Sequence, residues 1–148
     1  MMSQVFVSGH KSPDTDSIAA ALSYSYLKRR LGMDAVAVRA GEINKESRFA
    51  LDYFNLEEPI LVTSVERKNP EDEKQKVILV DHNESKQTID GMDDAEVLEI
   101  IDHHRFGDFE SENPIFILVR PVGCVNTVIY GLYKTNHIKP SREIAGIM

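Results

Sequence analysis

The alternation of strand-like and helix-like segments constrains the fold of this chain more than any other feature of its sequence. Short apolar runs predict strands over 4–9, 34–41, 77–81, 97–104 and 114–122. Helical patterns lie between and after them, at 16–32, 44–55, 125–136 and 141–148. A chain that alternates in this way is expected to form an α/β fold, with a doubly wound, mostly parallel sheet and helices on both faces.

The composition limits the classes of protein to which this chain can belong. Its 148 residues are 42% hydrophobic, which is enough for one ordinary globular core. No apolar run reaches about 18 residues, so we expect no membrane span, and we see no export signal at the N-terminus. A single cysteine, Cys124, fits a reducing cytoplasm. The net charge of −7 argues against nonspecific binding to nucleic acid.

Three of the predicted strands end in side chains that can bind a metal ion. These are His10, Asp14 and Asp16 after the first strand, Asp81 after the third, and His103 and His104 after the fourth. Ligands of parallel α/β sheets bind beyond the carboxyl ends of the strands, where the strand order reverses. The sequence therefore predicts a site for two divalent cations at this edge, with one aspartate able to bridge them.

Each group also has a structural explanation. Asp14 and Asp16 could complement the dipole of the helix that follows them. Asp81 could be a turn residue, and the paired histidines could be satisfied core residues. The coincidence of all three groups at equivalent strand ends favours the metal site.

The types of ligand narrow the choice of metal. Magnesium prefers oxygen ligands, whereas imidazole favours manganese, cobalt, iron or zinc. Histidines beside aspartates therefore predict manganese or cobalt, with magnesium possible on binding of substrate. There is no cysteine cluster, so we expect no structural zinc.

The motifs "GHKSPDTDS", "VDHNE" and "IDHH" resemble the successive motifs of the DHH phosphoesterase superfamily. More narrowly, they resemble family II, manganese-dependent inorganic pyrophosphatases. Thr15 stands in "PDTDSI" where the phosphodiesterase branches usually have glycine. The stretches "RPVGCVNTVIYGLYK" (120–134) and "EIAGIM" (143–148) resemble the pyrophosphatase branch and are the sharper discriminator.

The resemblance implies a role for each matching residue. His10 and Asp14 would bind one manganese ion, Asp16 and His103 the second, and Asp81 would bridge the two. The catalytic residue would be His104, which would contact the substrate or protonate the leaving phosphate. Asp102 and His82 would support the ligands from behind.

The resemblance also implies an activity and a domain organisation. The intact enzyme would hydrolyse pyrophosphate to two phosphates with a hydroxide activated by two metal ions, as a cytoplasmic homodimer. Residues 1–148 would form the metal-binding catalytic domain. The family has a further bridging aspartate and a C-terminal domain that clamps the substrate, and we expect both to be absent from this chain. We therefore expect the chain alone to bind metal weakly and to hydrolyse pyrophosphate poorly.

Two other functions remain open. The first is a phosphodiesterase or exopolyphosphatase of the same superfamily, acting on short oligonucleotides, cyclic dinucleotides or polyphosphate. The second is a domain without catalytic activity that serves as a dimerisation module.

Overall fold

A six-stranded parallel sheet forms the centre of the molecule, in a computed structural model that describes residues 3–148. Its strands are β1 (Val5–Ser8), β2 (Ala35–Arg39), β3 (Ile60–Leu61), β4 (Lys76–Val80), β5 (Glu96–Asp102) and β6 (Phe116–Val119). They lie in the order β3-β2-β1-β4-β5-β6, and every neighbouring pair is parallel. The chain thus builds outward from β1 in one direction and then, from β4, in the other. The strand order reverses between β1 and β4, which is where such sheets bind ligands.

The sheet is covered on both faces. The α-helices are α1 (Thr15–Arg30), α2 (Lys45–Tyr53), α3 (Val125–Thr135) and α4 (Arg142–Ile147). Helices α1 and α3 pack against one face of the sheet, and α2 and α4 pack against α1. The opposite face is covered by loops and by two 3-10 helices, Ser85–Gln87 and Met92–Asp94. The predicted α/β fold with a doubly wound, parallel sheet is confirmed. The prediction of helices on both faces needs one correction, because all four α-helices lie on one face and only the two 3-10 helices lie on the other.

The two layers explain why the central strands are apolar without interruption. Successive residues of a strand point to opposite faces, so Ile78 and Val80 pack under α1 and α3. Val77 and Leu79 pack under the loops and 3-10 helices of the other face. Strands that are buried on both faces need apolar residues at every buried position, and β4 has them from Val77 to Val80.

Helix α1 lies at the centre of the helical layer and is buried along most of its length. Its N-cap is Asp14, whose carboxylate accepts a hydrogen bond from the Ser17 N–H at 2.9 Å. The helix ends at Arg30, and Gly32 follows with a left-handed φ of 93°. Because α1 begins just after β1, its first turn lies at the carboxyl edge of the sheet.

Some elements differ from the sequence prediction. The two-residue strand β3 and both 3-10 helices were not predicted, because each is too short to show a periodic pattern. The predicted strand over 97–104 ends at Asp102, so His103 and His104 lie in the loop beyond the sheet. Within residues 3–148, no helix has both the length and the apolar character needed to cross a bilayer.

Candidate metal centre at the carboxyl ends of three strands

The candidate site lies where β1, β4 and β5 end side by side. A tight connection between β1 and α1 starts at Gly9, where a Cβ atom would overlap the Ser17 hydroxyl. That hydroxyl accepts a hydrogen bond from the His10 N–H at 3.0 Å. The start of α1 is therefore held against the end of β1, and His10 is placed over the neighbouring strand β4.

A first cluster contains His10, Asp14 and Asp81. His10 Nε2 lies 3.3 Å from Asp81 Oδ2 and 3.7 Å from Asp14 Oδ1. The ligand atoms that the three residues can offer all lie within 4.8 Å of one another. His10 Nδ1 contacts the Lys11 carbonyl at 2.7 Å. This contact assigns the proton to Nδ1, which leaves Nε2 free to bind a cation.

A second cluster contains His103, Asp16 and the same Asp81. His103 Nε2 lies 3.0 Å from Asp81 Oδ1 and 3.5 Å from Asp16 Oδ2. His103 Nδ1 contacts the Val122 carbonyl at 2.9 Å, an arrangement equivalent to that of His10. Both histidines thus have one ring nitrogen fixed by a backbone carbonyl and the other directed at carboxylates.

Asp81 connects the two clusters through its two carboxylate oxygens. Oδ2 faces His10 and Oδ1 faces His103, while the residue is only 1% exposed. Its φ of 64° is left-handed, a conformation that costs a residue with a Cβ about 1–2 kcal/mol. A buried, strained carboxylate shared between two clusters has the geometry of a bridging ligand.

The third group at this edge is formed by Asp102 and His104. Asp102 is fully buried, and its Oδ1 accepts hydrogen bonds from the His103 N–H and from His104 Nδ1, both at 2.7 Å. Its Oδ2 accepts from the Asn83 amide at 2.7 Å. Asp102, His103, His104 and Asp81 also offer ligand atoms within 4.8 Å of one another. With its protein partners already in place, Asp102 supports the two histidines from behind.

His104 differs from the other histidines because half of its side chain, 51%, is exposed. Its Nδ1 contacts Asp102, and its Nε2 has no hydrogen-bond partner among residues 3–148. The ring is therefore oriented by the protein on one side and open to a bound molecule on the other.

His82 lies behind His10. It is 3% exposed, its Nδ1 contacts the Val80 carbonyl at 2.9 Å, and its ring meets that of His10 edge to face at 6.4 Å. Burial lowers the pKa of His82 to about 4, so the ring is neutral at physiological pH. Its role in this structure is to pack against a candidate ligand.

The electrostatics of the site favour positive charge between the carboxylates. The hydrogen bond to Asp81 raises the pKa of His10 to about 9. Burial lowers the pKa of His103, but the Val122 carbonyl and the nearby carboxylates outweigh it, so the net shift is upward. Burial and the charges of Asp16 and Asp14 raise the pKa of Asp81, against the effect of His10. Divalent cations would relieve this crowding of carboxylates better than protons can.

All eight residues predicted from the sequence thus lie at one edge of the sheet. The five predicted ligands form two clusters that share Asp81. Three carboxylates and two imidazoles are a donor set that fits divalent transition metals, so the residues present fit a pair of such ions. Sequence reasoning missed two supporting residues, Asn83 and Asn126, whose side-chain amides donate hydrogen bonds to Asp102 and Asp16.

Known proteins resemble this chain over nearly its whole length. The chain is 48% identical over 147 residues to a protein of an Exiguobacterium strain named "Probable manganese-dependent inorganic pyrophosphatase". It is 49% identical over 147 residues to a Bacillus licheniformis protein of the same name. In both comparisons the match includes 99% of this chain and 46% of the relative. The chain therefore spans slightly less than half the length of these relatives.

Solved structures share the fold. A Methanococcus jannaschii protein, whose crystal structure was determined as a candidate family II inorganic pyrophosphatase, superposes with a TM-score of 0.83 at 36% identity. The match covers 97% of this chain and 46% of that one. An exopolyphosphatase-related protein from Bacteroides fragilis superposes with a TM-score of 0.60 at 18% identity, covering 90% of this chain and 39% of that one, and shows the shared fold alone.

The sequence profile described as "DHH family, N-terminal domain" matches residues 4–148. This range contains every residue of the site and all but the first three residues of the chain. The protein therefore belongs to the DHH family, of which it carries the N-terminal domain.

Proposed function

We propose that this chain is the metal-binding domain of a manganese-dependent inorganic pyrophosphatase, which hydrolyses pyrophosphate to two phosphates. The observation that carries the proposal is the position of Asp81, whose two oxygens face two separate histidine and aspartate clusters. The names of the relatives that match the whole chain support manganese as the metal and pyrophosphate as the substrate.

The proposed metal ligands follow the two clusters. His10 and Asp14 would hold one ion, and Asp16 and His103 the other, with Asp81 shared by both. A pair of divalent cations supplies an activated water nucleophile and neutralises the charge of the phosphate oxygens when it is bound. The protein itself positions these ligands. In each histidine, Nδ1 contacts a backbone carbonyl, and this contact directs Nε2 toward the carboxylates.

His104 is the residue that we propose to move a proton. Its Nδ1 contacts Asp102, and that carboxylate stabilises the ring when it is protonated. Nε2 would then carry a proton toward the oxygen of the leaving phosphate. The exposure of the ring makes this nitrogen accessible to a small anionic substrate.

The substrate-binding half of the enzyme would lie outside the sequence of this chain. We propose a second, C-terminal domain that supplies the cationic side chains for pyrophosphate, because the chain spans 46% of its relatives and has a net charge of −7. We further propose that the whole protein acts as a homodimer in the cytoplasm, on a small-molecule substrate and without a nucleic acid or membrane partner.

Release of phosphate from pyrophosphate tests the proposal. We expect hydrolysis that requires Mn²⁺ and that is lost in Asp81→Asn. Asp52→Asn is the matched control, because Asp52 is an exposed residue of α2 outside the site.

A second substrate separates the proposal from the other activities of the superfamily. Bis-p-nitrophenyl phosphate is a phosphodiester without an anhydride bond, and we expect little cleavage of it. A chain that cleaved this diester faster than pyrophosphate would contradict the proposal and favour a phosphodiesterase.

A further inference from the structure

Helix α3 begins without a side-chain cap of its own. Its N-cap residue, Cys124, makes no capping hydrogen bond, so the first N–H groups of the helix need acceptors from elsewhere. The carboxylate of Asp16, on α1, supplies them. Oδ2 accepts from the Val125 N–H at 2.9 Å, and Oδ1 accepts more distantly from the Asn126 N–H at 3.4 Å.

The side chain of Asn126 also forms hydrogen bonds with Asp16. Its amide nitrogen donates to Asp16 Oδ1 at 2.7 Å and to the Asp16 backbone carbonyl at 3.1 Å. Asn126 is 3% exposed, and its own oxygen accepts from the Ser23 hydroxyl at 3.0 Å. Both ends of the amide are therefore fixed, and the group cannot turn away from Asp16.

These contacts determine which oxygen of Asp16 faces the metal centre. Asn126 takes Oδ1, which leaves Oδ2 directed toward His103 Nε2 at 3.5 Å. Without the amide, the carboxylate could rotate about its χ2 bond, a torsion with a broad energy minimum. The carboxylate would then be held only by the Val125 N–H and, at 3.4 Å, by the Asn126 N–H.

We propose that Asn126 is a positioning residue that holds the Asp16 carboxylate in the orientation needed for the second metal ion. This inference rests on the proposed two-metal site and adds a residue to its support. Hydrogen-bond partners behind metal ligands typically change metal affinity by about 10–100-fold when they are removed. The effect should fall on the ion bound by Asp16 and His103, because His10 and Asp14 do not contact Asn126.

Titration of the 148-residue chain with Mn²⁺ tests the inference, with EPR spectroscopy to measure free ions and to separate isolated from coupled bound ions. In Asn126→Ala we expect the first ion to bind as in the unmodified chain. We expect the second to bind about 10–100-fold more weakly, so that the signal of the coupled pair requires correspondingly more Mn²⁺.

Ser23→Ala is the control for a purely structural role. It removes the hydrogen bond from the Ser23 hydroxyl to the Asn126 side chain and loosens the α1–α3 contact. Both hydrogen bonds from the Asn126 amide to Asp16 stay in place. Thermal unfolding of the metal-free proteins shows whether each variant folds and how far each is destabilised. We expect Ser23→Ala to bind both ions like the unmodified chain.

Two results would overturn the inference while leaving the proposed function intact. One is an Asn126→Ala variant that binds two coupled ions with unchanged affinity, and the other is an equal loss of affinity in Ser23→Ala. If the unmodified chain binds no Mn²⁺, the proposed metal site fails together with the inference.

Discussion

Asp81 is the residue on which the two ligand clusters depend. If each oxygen binds a different ion, replacement by asparagine leaves one weaker ligand atom where two charged ones were needed. We predict that Asp81→Asn lowers the affinity for Mn²⁺ by more than about 100-fold. Removal of a residue that only supports a ligand typically lowers it by about 10–100-fold. Isothermal titration calorimetry measures this loss, and Asp52→Asn should bind like the unmodified chain. An Asp81→Asn variant that retained one tight site would show that the carboxylate is not shared.

His104 should separate catalysis from metal binding. Because its Nδ1 is held by Asp102 and its Nε2 faces outward, we predict that His104→Gln slows pyrophosphate hydrolysis by about 10²-fold or more. Mn²⁺ affinity should stay close to that of the unmodified chain. Single-turnover assays with protein in excess resolve slow rates, so the comparison is possible even if the chain is a poor catalyst. A parallel loss of metal affinity would make His104 a ligand instead.

The candidate ligands were predictable from sequence because they combine residue type with position after a strand. His10, Asp81 and His103 all follow apolar runs, and the topology of a parallel sheet brings such positions together. Asn126 and Val122 were not predictable in the same way. Asn126 contacts Asp16, 110 positions away in the sequence, and Val122 contacts His103, 19 positions away. Neither asparagine nor valine is a residue type that indicates metal chemistry.

At the scale of elements, the close approach of α1 to β1 determines where the first cluster forms. Gly9 allows that approach, because a Cβ there would lie 2.9 Å from the Ser17 Cβ and overlap the hydroxyl. We predict that Gly9→Ala lowers the free energy of unfolding by about 1–3 kcal/mol, as overpacking does elsewhere. Urea unfolding measures the change. Gly123→Ala is the control, because an added Cβ there meets nothing within 4 Å, and a similar loss in both variants would contradict the steric account.

The second 3-10 helix is tied to the connector before β4 by an ion pair. Asp94 accepts hydrogen bonds from the Arg67 side chain at 2.7 and 2.9 Å and from its N–H at 2.8 Å. The guanidinium of Arg67 holds the pKa of the Asp94 carboxyl below its usual range. An acid whose pKa is lower in the folded state stabilises the fold above its unfolded pKa of about 3.9, and this stabilisation is lost as the pH falls further.

Asp94→Asn should therefore have a lower melting temperature than the unmodified chain at neutral pH. We predict that the difference shrinks as the pH falls through the unfolded pKa of about 3.9 toward the lower folded pKa, because the unfolded chain then takes up a proton more readily than the folded chain. Thermal unfolding by circular dichroism across this range measures the effect. Asp93→Asn is the neighbouring control, since the Asp93 side chain makes no hydrogen bond among residues 3–148. A difference that does not change with pH would contradict the assignment to the ion pair.

The main helices and strands could be predicted because each has a periodic pattern and a recognisable boundary. The helical pattern over 44–55, for example, begins at Asn44, a residue type that favours N-caps, and Asn44 accepts a hydrogen bond from the Ser47 N–H at 2.8 Å. The cover of the second face could not be predicted, since it consists of loops and two three-residue helices. Their burial comes from tertiary contacts such as that of Ile89 with the sheet, which no local period reveals.

At the scale of the whole molecule, metal binding should be coupled to stability. The ligands come from the ends of three strands and the start of α1, so they come together only in the folded chain. We predict that each of the two Mn²⁺ ions, at about 100 times its dissociation constant, adds about 2.7 kcal/mol to the free energy of unfolding. For a chain of this size, each contribution corresponds to a rise in melting temperature of roughly 5–11 °C. Asp81→Asn should show little of this rise, and an equal rise in that variant would place the ions elsewhere.

Anomalous diffraction at the manganese edge can show whether one buried carboxylate, that of Asp81, binds two ions. Crystals of the chain grown with Mn²⁺ should show two peaks about 3.5–4 Å apart on either side of Asp81. One peak should lie beside His10 and the other beside His103. A single peak, or peaks that do not contact Asp81, would contradict the account.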